Sequence, residues 1–385
     1  MVLELHRLSV DGATAWVDRA TSPLPTESVS LFAACARVLA DGICAVQPIP
    51  LADCAALDGF AVAASATVGA TSYNPLLLPL RAVSAGDAIP TGTDAVIPLR
   101  LAEPQPSNLV ECIEAVAPGE NVEAQGSVAA AGALLVPAGT QLSPPHIGML
   151  ICAGLVSVDV VQRPRVRIVV TPKNAEIDGN GPMIRGLVQR DGGVIADVIA
   201  AERTSQGIRN ALEADGVDIV LVIGGTGPGT EDHAAAALAA AGELAIHGVA
   251  LRPGETTGLG DTRSGVPVTL LAGSPAACLF GYEMLAGRAV RRLGGRNPEL
   301  PYRRRLMHTR RKIVSAIGMT EICPVRCATH DVAEPLPSFG EIGMMAAVAA
   351  DGFVIVPEAS EGHPQGAPVT VYLYEGRYEG RCIDG

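Results

Sequence analysis

Hydrophobic positions between residues 165 and 296 fall into short β-branched runs separated by helix-period stripes. Residues 165–170, 193–199, 218–223, 243–249 and 268–272 read as strands, and residues 183–190, 204–215, 234–241 and 275–293 as helices. Strand–helix alternation predicts an α/β domain with a mostly parallel, doubly wound sheet. Ligands of such sheets bind outside the carboxyl ends of the strands. Three polar, glycine-bearing loops fall there, at 172–181, 224–232 and 273–275, and a fourth, 252–258, can fold over them.

The flanking segments carry other patterns. Residues 1–23 read as irregular, with a short strand at 14–17. Residues 26–39 read as a helix, because Val29, Phe32, Ala33, Cys35, Ala36 and Leu39 fall roughly on one face. Asp58-Gly59 reads as a tight turn with an exposed carboxylate ahead of an alternating strand. Residues 77–113 read as a small β module. Ser143 with Pro144 and Pro145 marks a helix start, and residues 156–161 read as a strand. The arginine-rich segment 288–312 reads as a solvated, flexible hinge. It leads into strands at 312–314, 321–326, 353–357 and 368–374 with a helix at 339–349, the pattern of a small β-barrel or sandwich.

Composition narrows the class. A chain of 385 residues accommodates two to four domains. Aromatic residues make up only 3%, so Ala, Val, Leu and Ile must fill the cores. A net charge of −12 argues against a general nucleic-acid binder. No run reaches transmembrane length, and the nine cysteines are scattered and odd in number. These features read as a cytoplasmic protein with reduced thiols and neither a nucleic acid nor a membrane as partner. Cys323 and Cys327 lack a second Cys/His pair at zinc spacing and read as structural thiols.

The chemistry concentrates at 218–232. A buried strand runs into Gly224, Gly225, Thr226, Gly227 and Gly229, then into Thr230, Glu231 and Asp232 ahead of an alanine-rich helix. Glycines let the backbone turn tightly and approach a ligand, and helix N-termini present N–H groups to anions. The loop lacks the Gly-Lys-Ser/Thr of a P-loop and the G-x-G-x-x-G of a dinucleotide fingerprint. Alone, it fits a plain strand-to-helix turn and an anion-binding floor equally well.

Taken together, the motifs resemble the molybdopterin molybdenumtransferases, the MoeA-type molybdenum-insertion family that includes the gephyrin E domain. The residues carrying the likeness are Ala56-Leu57-Asp58-Gly59-Phe60-Ala61-Val62, Pro90-Thr91-Gly92-Thr93-Asp94-Ala95-Val96, Pro118-Gly119-Glu120-Asn121, Pro137-Ala138-Gly139-Thr140, Asp178-Gly179-Asn180, the 224–232 loop, Gly273-Ser274-Pro275 and Gly352-Phe353-Val354. They stand in family order along nearly the whole chain. The resemblance implies an extended N-terminal and hinge domain (1–50 and 120–163), an inserted β domain (51–119), a central molybdopterin-binding domain (164–296) and a C-terminal β-barrel (303–376). It implies a homodimer whose site lies between the central domain of one chain and the inserted domain of the other. The implied reaction inserts molybdate into adenylylated molybdopterin and releases AMP, assisted by Mg2+ or another divalent cation.

Carried onto this sequence, Asp58, Asp232 and Arg252 are the implied catalytic residues. Gly224, Gly225, Thr226, Gly227, Asn180, Gly273, Ser274 and Pro275 would hold molybdopterin. Asp58, Asp232 and Glu176 are the candidate cation ligands. Several positions depart from the family. Its Lys-Pro-Gly-Lys-Pro is here Arg252-Pro253-Gly254-Glu255-Thr256, which reverses one charge. Its Thr-Gly-Asp-Glu is here Thr171-Pro172-Lys173-Asn174, with Glu176 displaced, and the hinge acids are replaced by Ser127 and Val128. The pterin-binding half is therefore better preserved than the metal-and-molybdate half. This leaves a second reading, a non-catalytic molybdopterin or cofactor carrier serving a client molybdoenzyme, and a third, a structural scaffold.

Overall fold

The β-branched runs of the central region form a six-stranded sheet in the order Val194–Ala200, Arg165–Val170, Ile219–Ile223, Pro267–Leu271, Gly258–Thr262, Gly242–His247. In this computed structural model the described residues are 6–106, 108–172, 179–213, 215–337 and 341–374. They divide into two compact units, Met1–Thr26 with Val161–Gly385, and Glu27–Val160.

In the first unit, side chains alternate between the two faces of the sheet, as a period of two requires. Val166, Ile168, Ile219 and Leu221 join a core shared with the helices Asn180–Arg190 and Pro275–Gly281. Val169, Val220 and Val222 face the helices Ser205–Leu212 and Ala234–Ala241. Helices on both faces match the sequence reading, but the sheet is mixed rather than a classic parallel doubly wound one. The first four strands are parallel, but Gly258–Thr262 and Gly242–His247 run antiparallel at the edge. Across the two large sheets of the unit, antiparallel pairings outnumber parallel ones. The reason is connection length, since a parallel return needs a crossover of a dozen or more residues and only residues 263–266 separate the last two strands in sequence. Gly260 makes the edge pairing close, because a Cβ there would lie 2.0 Å from the Glu243 carbonyl oxygen.

Two N-terminal readings are corrected. Residues 10–20 form a helix, Val10–Ala20, rather than irregular chain. Ser9 caps it by accepting from Gly12 N at 3.1 Å, and Val10, Ala13 and Val17 bury one stripe. Residues 26–39 form a strand, Thr26–Ser30, paired with Ser157–Val161, and a single 3-10 turn, Leu31–Ala33. Ala36 takes a positive φ of 64°, which ends any helical path, and Phe32, expected on the packed face, is exposed. The Thr-Glu-Ser-Val-Ser run suits a strand better than the stripe count suggested.

The arginine-rich segment is also corrected. Arg288 pairs with Asp18 of the N-terminal helix at 2.7 Å, and Arg291 pairs with the buried Asp191 at 2.9 Å. Arg291 and Arg292 lie in the last turn of the helix Gly287–Leu293, where cations complement the helix dipole. Beyond it, Arg303–Thr309 is a strand.

That strand belongs to a closed five-stranded barrel. Thr320–Thr329, Val332–Pro335, Arg303–Thr309, Pro368–Leu373 and Gly352–Val356 pair in succession, and the last pairs back to the first. Met307, Cys323, Val325, Val354 and Val371 fill it, with Cys327 packed against them, so both cysteines are structural thiols. A further short strand, Leu251–Arg252, adds in parallel to Thr320–Thr329.

The second unit holds two three-stranded antiparallel sheets. Gly59–Val62 lies between Ala82–Val83 and Ala95–Pro98, and Leu109–Cys112 lies between Leu76–Pro79 and Ala102–Gln105. Phe60, Val62, Ile97 and Val110 are among the residues of their shared core. The helix Pro144–Cys152 starts after Ser143, whose N–H is received by His146 Nδ1 at 3.1 Å.

Candidate functional site

Three strand ends of the central sheet converge on Gly224. The Gly224 N–H donates to the Leu271 carbonyl at 2.9 Å, and Thr171 N and Oγ1 both donate to the Ile223 carbonyl at 3.0 Å. Gly224 has a φ of 90°, and a Cβ there would stand 2.8 Å from Thr171 Oγ1. Only glycine meets both conditions. Gly225 follows at φ 66°, and its carbonyl receives the first N–H of the alanine-rich helix, from Ala234, at 2.9 Å.

Side chains then fix the loop from three directions. The Thr226 hydroxyl lies 2.9 Å from that of Thr256, and the Thr226 carbonyl accepts from His247 Nε2 at 3.0 Å. Asp232 Oδ2 accepts from Gly229 N at 3.2 Å, and Arg203 Nη2 donates to Asp232 Oδ1 at 2.9 Å. Asp232 therefore ties the Gly227–Gly229 turn and is itself neutralised by Arg203. The helix Ala234–Ala241 has His233 at its N-cap, with no side-chain cap hydrogen bond. Asn180, buried at the start of its helix, donates from Nδ2 to the Gly273 carbonyl at 2.8 Å and so ties its loop to that of Gly273, Ser274 and Pro275. The backbone N–H groups of Gly225, Thr226 and Gly227 find no acceptor among the described residues. Three consecutive donors left open at one turn are the kind of groups that receive an anion or a polar ring edge.

Arg252 has its guanidinium 3.5 Å (Nε) from Glu255 Oε1 and 3.7 Å (Nη1) from Glu321 Oε2. Asp58, in the second unit, is exposed at its turn and accepts from Ala85 N at 2.8 Å. Gly59 behind it is obligatory, because a Cβ would meet the Ile97 carbonyl oxygen at 2.1 Å. Lys173, Asn174, Glu176 and Asp178 lie outside the described residues.

Among the described residues no group of three or more His, Cys, Asp or Glu side chains could hold a metal ion. The Asp232 oxygens are taken by Arg203 and Gly229. The described donors therefore do not fit a divalent cation. Sequence reasoning missed Arg203, His247 and Glu321, and named Thr171 only within a motif, without a role. Thr171 and Arg203 were detectable by position, since each follows a parallel strand at its carboxyl end. Glu321 carried no local signal, since only the barrel register brings it to Arg252.

The described MoeA N-terminal region (domains I and II) matches residues 8–154, and the model described as a probable molybdopterin binding domain matches residues 165–292. The chain belongs to the MoeA-type molybdopterin biosynthesis family. Two MoeA protein structures from Pyrococcus horikoshii superpose with TM-scores of 0.76 and 0.74 at 25% and 24% identity, each covering 96% of this chain and 100% of its own. The molybdopterin molybdenumtransferase of Staphylococcus aureus is 26% identical over 405 residues, spanning 92% of each chain. Molybdopterin molybdenumtransferase 2 of Mycobacterium tuberculosis is 28% identical over 326 residues, 74% of this chain and 79% of its own. Within this MoeA-type chain, the glycine loop, Asn180 and the 273–275 loop all fall inside the matched molybdopterin-binding region. No helix among the described residues is long and apolar enough to cross a membrane.

Proposed function

We propose that this MoeA-type chain inserts molybdate into the dithiolene of adenylylated molybdopterin and releases AMP. The observation that carries the reading is the row of backbone donors at Gly225, Thr226 and Gly227, held open by Thr171, His247, Thr256 and Asp232. Phosphate oxygens and the polar edge of a pterin are the groups such a floor receives. Asn180 and the 273–275 loop border it, and Asp58 is the carboxylate that would position phosphate or water from an inserted β domain. A homodimer with one domain of each chain contributing to the site, and the four-part division given by sequence, belong to the same proposal, as does a cytoplasmic location. The test is incubation of the purified chain with adenylylated molybdopterin, molybdate and Mg2+. Molybdate-dependent AMP release is expected, and its absence with authentic substrate sinks the reading.

A second reading is favoured by one specific observation, the neutralisation of Arg252 and Asp232 by protein partners. It makes the chain a molybdopterin or cofactor carrier that binds without turnover. Tight molybdopterin binding with no AMP release selects it.

A further inference from the structure

A trans peptide carries its carbonyl and its N–H on opposite edges, so fixing one direction fixes the other. The peptide joining Thr226 to Gly227 is trans. Its carbonyl accepts from His247 Nε2 at 3.0 Å, and its N–H, on Gly227, is one of the open donors of the loop. That N–H therefore faces away from the imidazole and meets no acceptor among the described residues. A glycine at 227 makes the peptide easy to turn over. A turned peptide would present a carbonyl, which repels an anion, where the donor now stands.

His247 makes no other side-chain hydrogen bond. The residue is 8% exposed, and its Nδ1 has no partner among the described residues. A carbonyl only accepts, so the contact with Thr226 selects the ring form that carries a proton on Nε2. Leaving Nδ1 buried and unpaired costs stability, a cost that an apolar side chain of similar size would avoid. The backbone beneath the ring is pinned from outside the loop. His247 ends the strand Gly242–His247 and pairs with Gly258, and its carbonyl accepts from His6 N at 3.0 Å. The donor thus stands on a fixed sheet edge, and the acceptor on a glycine loop.

From this geometry we infer that His247 is a positioning residue of the glycine loop: by holding the Thr226 carbonyl it aims the Gly227 N–H at the bound ligand. It also strengthens that donor, because hydrogen bonds in series polarise one another. The inference rests on the proposed function for its ligand, a pterin bearing phosphate. Thr256, 2.9 Å from the Thr226 hydroxyl, fixes the side chain of that residue and leaves the peptide to His247.

The experiment compares the full-length chain with His247→Leu, which removes the donor, and His247→Gln, whose amide N–H reaches the same carbonyl. In the ligand-free protein, the amide resonance of Gly227 is expected to shift in His247→Leu and to return toward its wild-type position in His247→Gln. In fluorescence titration with molybdopterin, His247→Leu is expected to weaken binding about five- to tenfold and His247→Gln by less than about twofold, the scale of one neutral hydrogen bond. An unmoved Gly227 resonance in His247→Leu, wild-type affinity in that variant, or equal loss in both variants overturns the inference, the last because packing alone would then account for the effect. Circular dichroism melting shows whether each variant is folded. His247→Asn, polar but too short to reach the carbonyl, replaces the leucine variant if that one is not. Failure of the wild type to bind molybdopterin removes the functional reading, whereas the Gly227 resonance still judges whether His247 sets the peptide.

Discussion

Asp191 gathers four donors in the interior of the first unit. Arg190 contributes two, at 3.0 and 3.1 Å, Arg291 one at 2.9 Å and the Tyr282 hydroxyl one at 3.0 Å. Glu283 extends the network by pairing with Arg190 at 2.7 Å. Removing the hub leaves buried guanidinium groups short of countercharge, so Asp191→Ala is expected to destabilise the unit by about 3–5 kcal/mol, read as a lowered first thermal transition. A melting curve superimposable on the wild type would contradict this. Cysteine chemistry offers a second check. Burial, aided by Glu321, pushes the Cys323 thiol up to about 12, whereas Cys35, Cys44 and Cys152 are exposed. Native alkylation at pH 8 followed by peptide mass mapping should label those three and leave Cys323 for the denatured chain. The structural place of Cys323 was legible in the sequence, whereas the arginine network was not. The run at 288–312 looked solvated because its partners, Asp18 and Asp191, are far away in the chain.

At the scale of elements, the glycine loop was legible because its requirements are local. A strand, a φ near 90° and a close Thr171 leave one residue type for position 224. Gly224→Ala is expected to cost about 1–3 kcal/mol of strain and to weaken molybdopterin binding, measured by fluorescence titration; unchanged affinity would detach the loop from ligand recognition. The barrel edge gives a pH prediction. The raised Glu321 carboxyl favours the folded state when protonated, so its stabilising share is present below about pH 4.5 and is lost as pH rises through the raised value. The difference in melting temperature between wild type and Glu321→Gln should therefore change across that window and be flat above it. Elements set by distant pairing were the ones misread. Thr26–Ser30 is a strand because Ser157–Val161, far along the chain, offers it an edge.

For the molecule as a whole, ordered motifs were worth more than any periodicity. They carried the family assignment, while periodicity missed the N-terminal helix, whose Ser9 cap and buried stripe are short. The proposed homodimer predicts that sedimentation equilibrium returns twice the chain mass, and a monomer across the micromolar range would remove that part of the proposal. The short strand Leu251–Arg252 carries one more consequence. Its sequence neighbours belong to the central sheet, yet its hydrogen-bonding partner is the barrel strand, and Thr320 N–H donates to the Ala250 carbonyl at 2.8 Å. The border between sheet and barrel in space is thus not the border in sequence. The barrel is not a detachable module, because an excision between 296 and 303 would leave the short strand that extends its wall on the other fragment and open fully buried Leu251 to water.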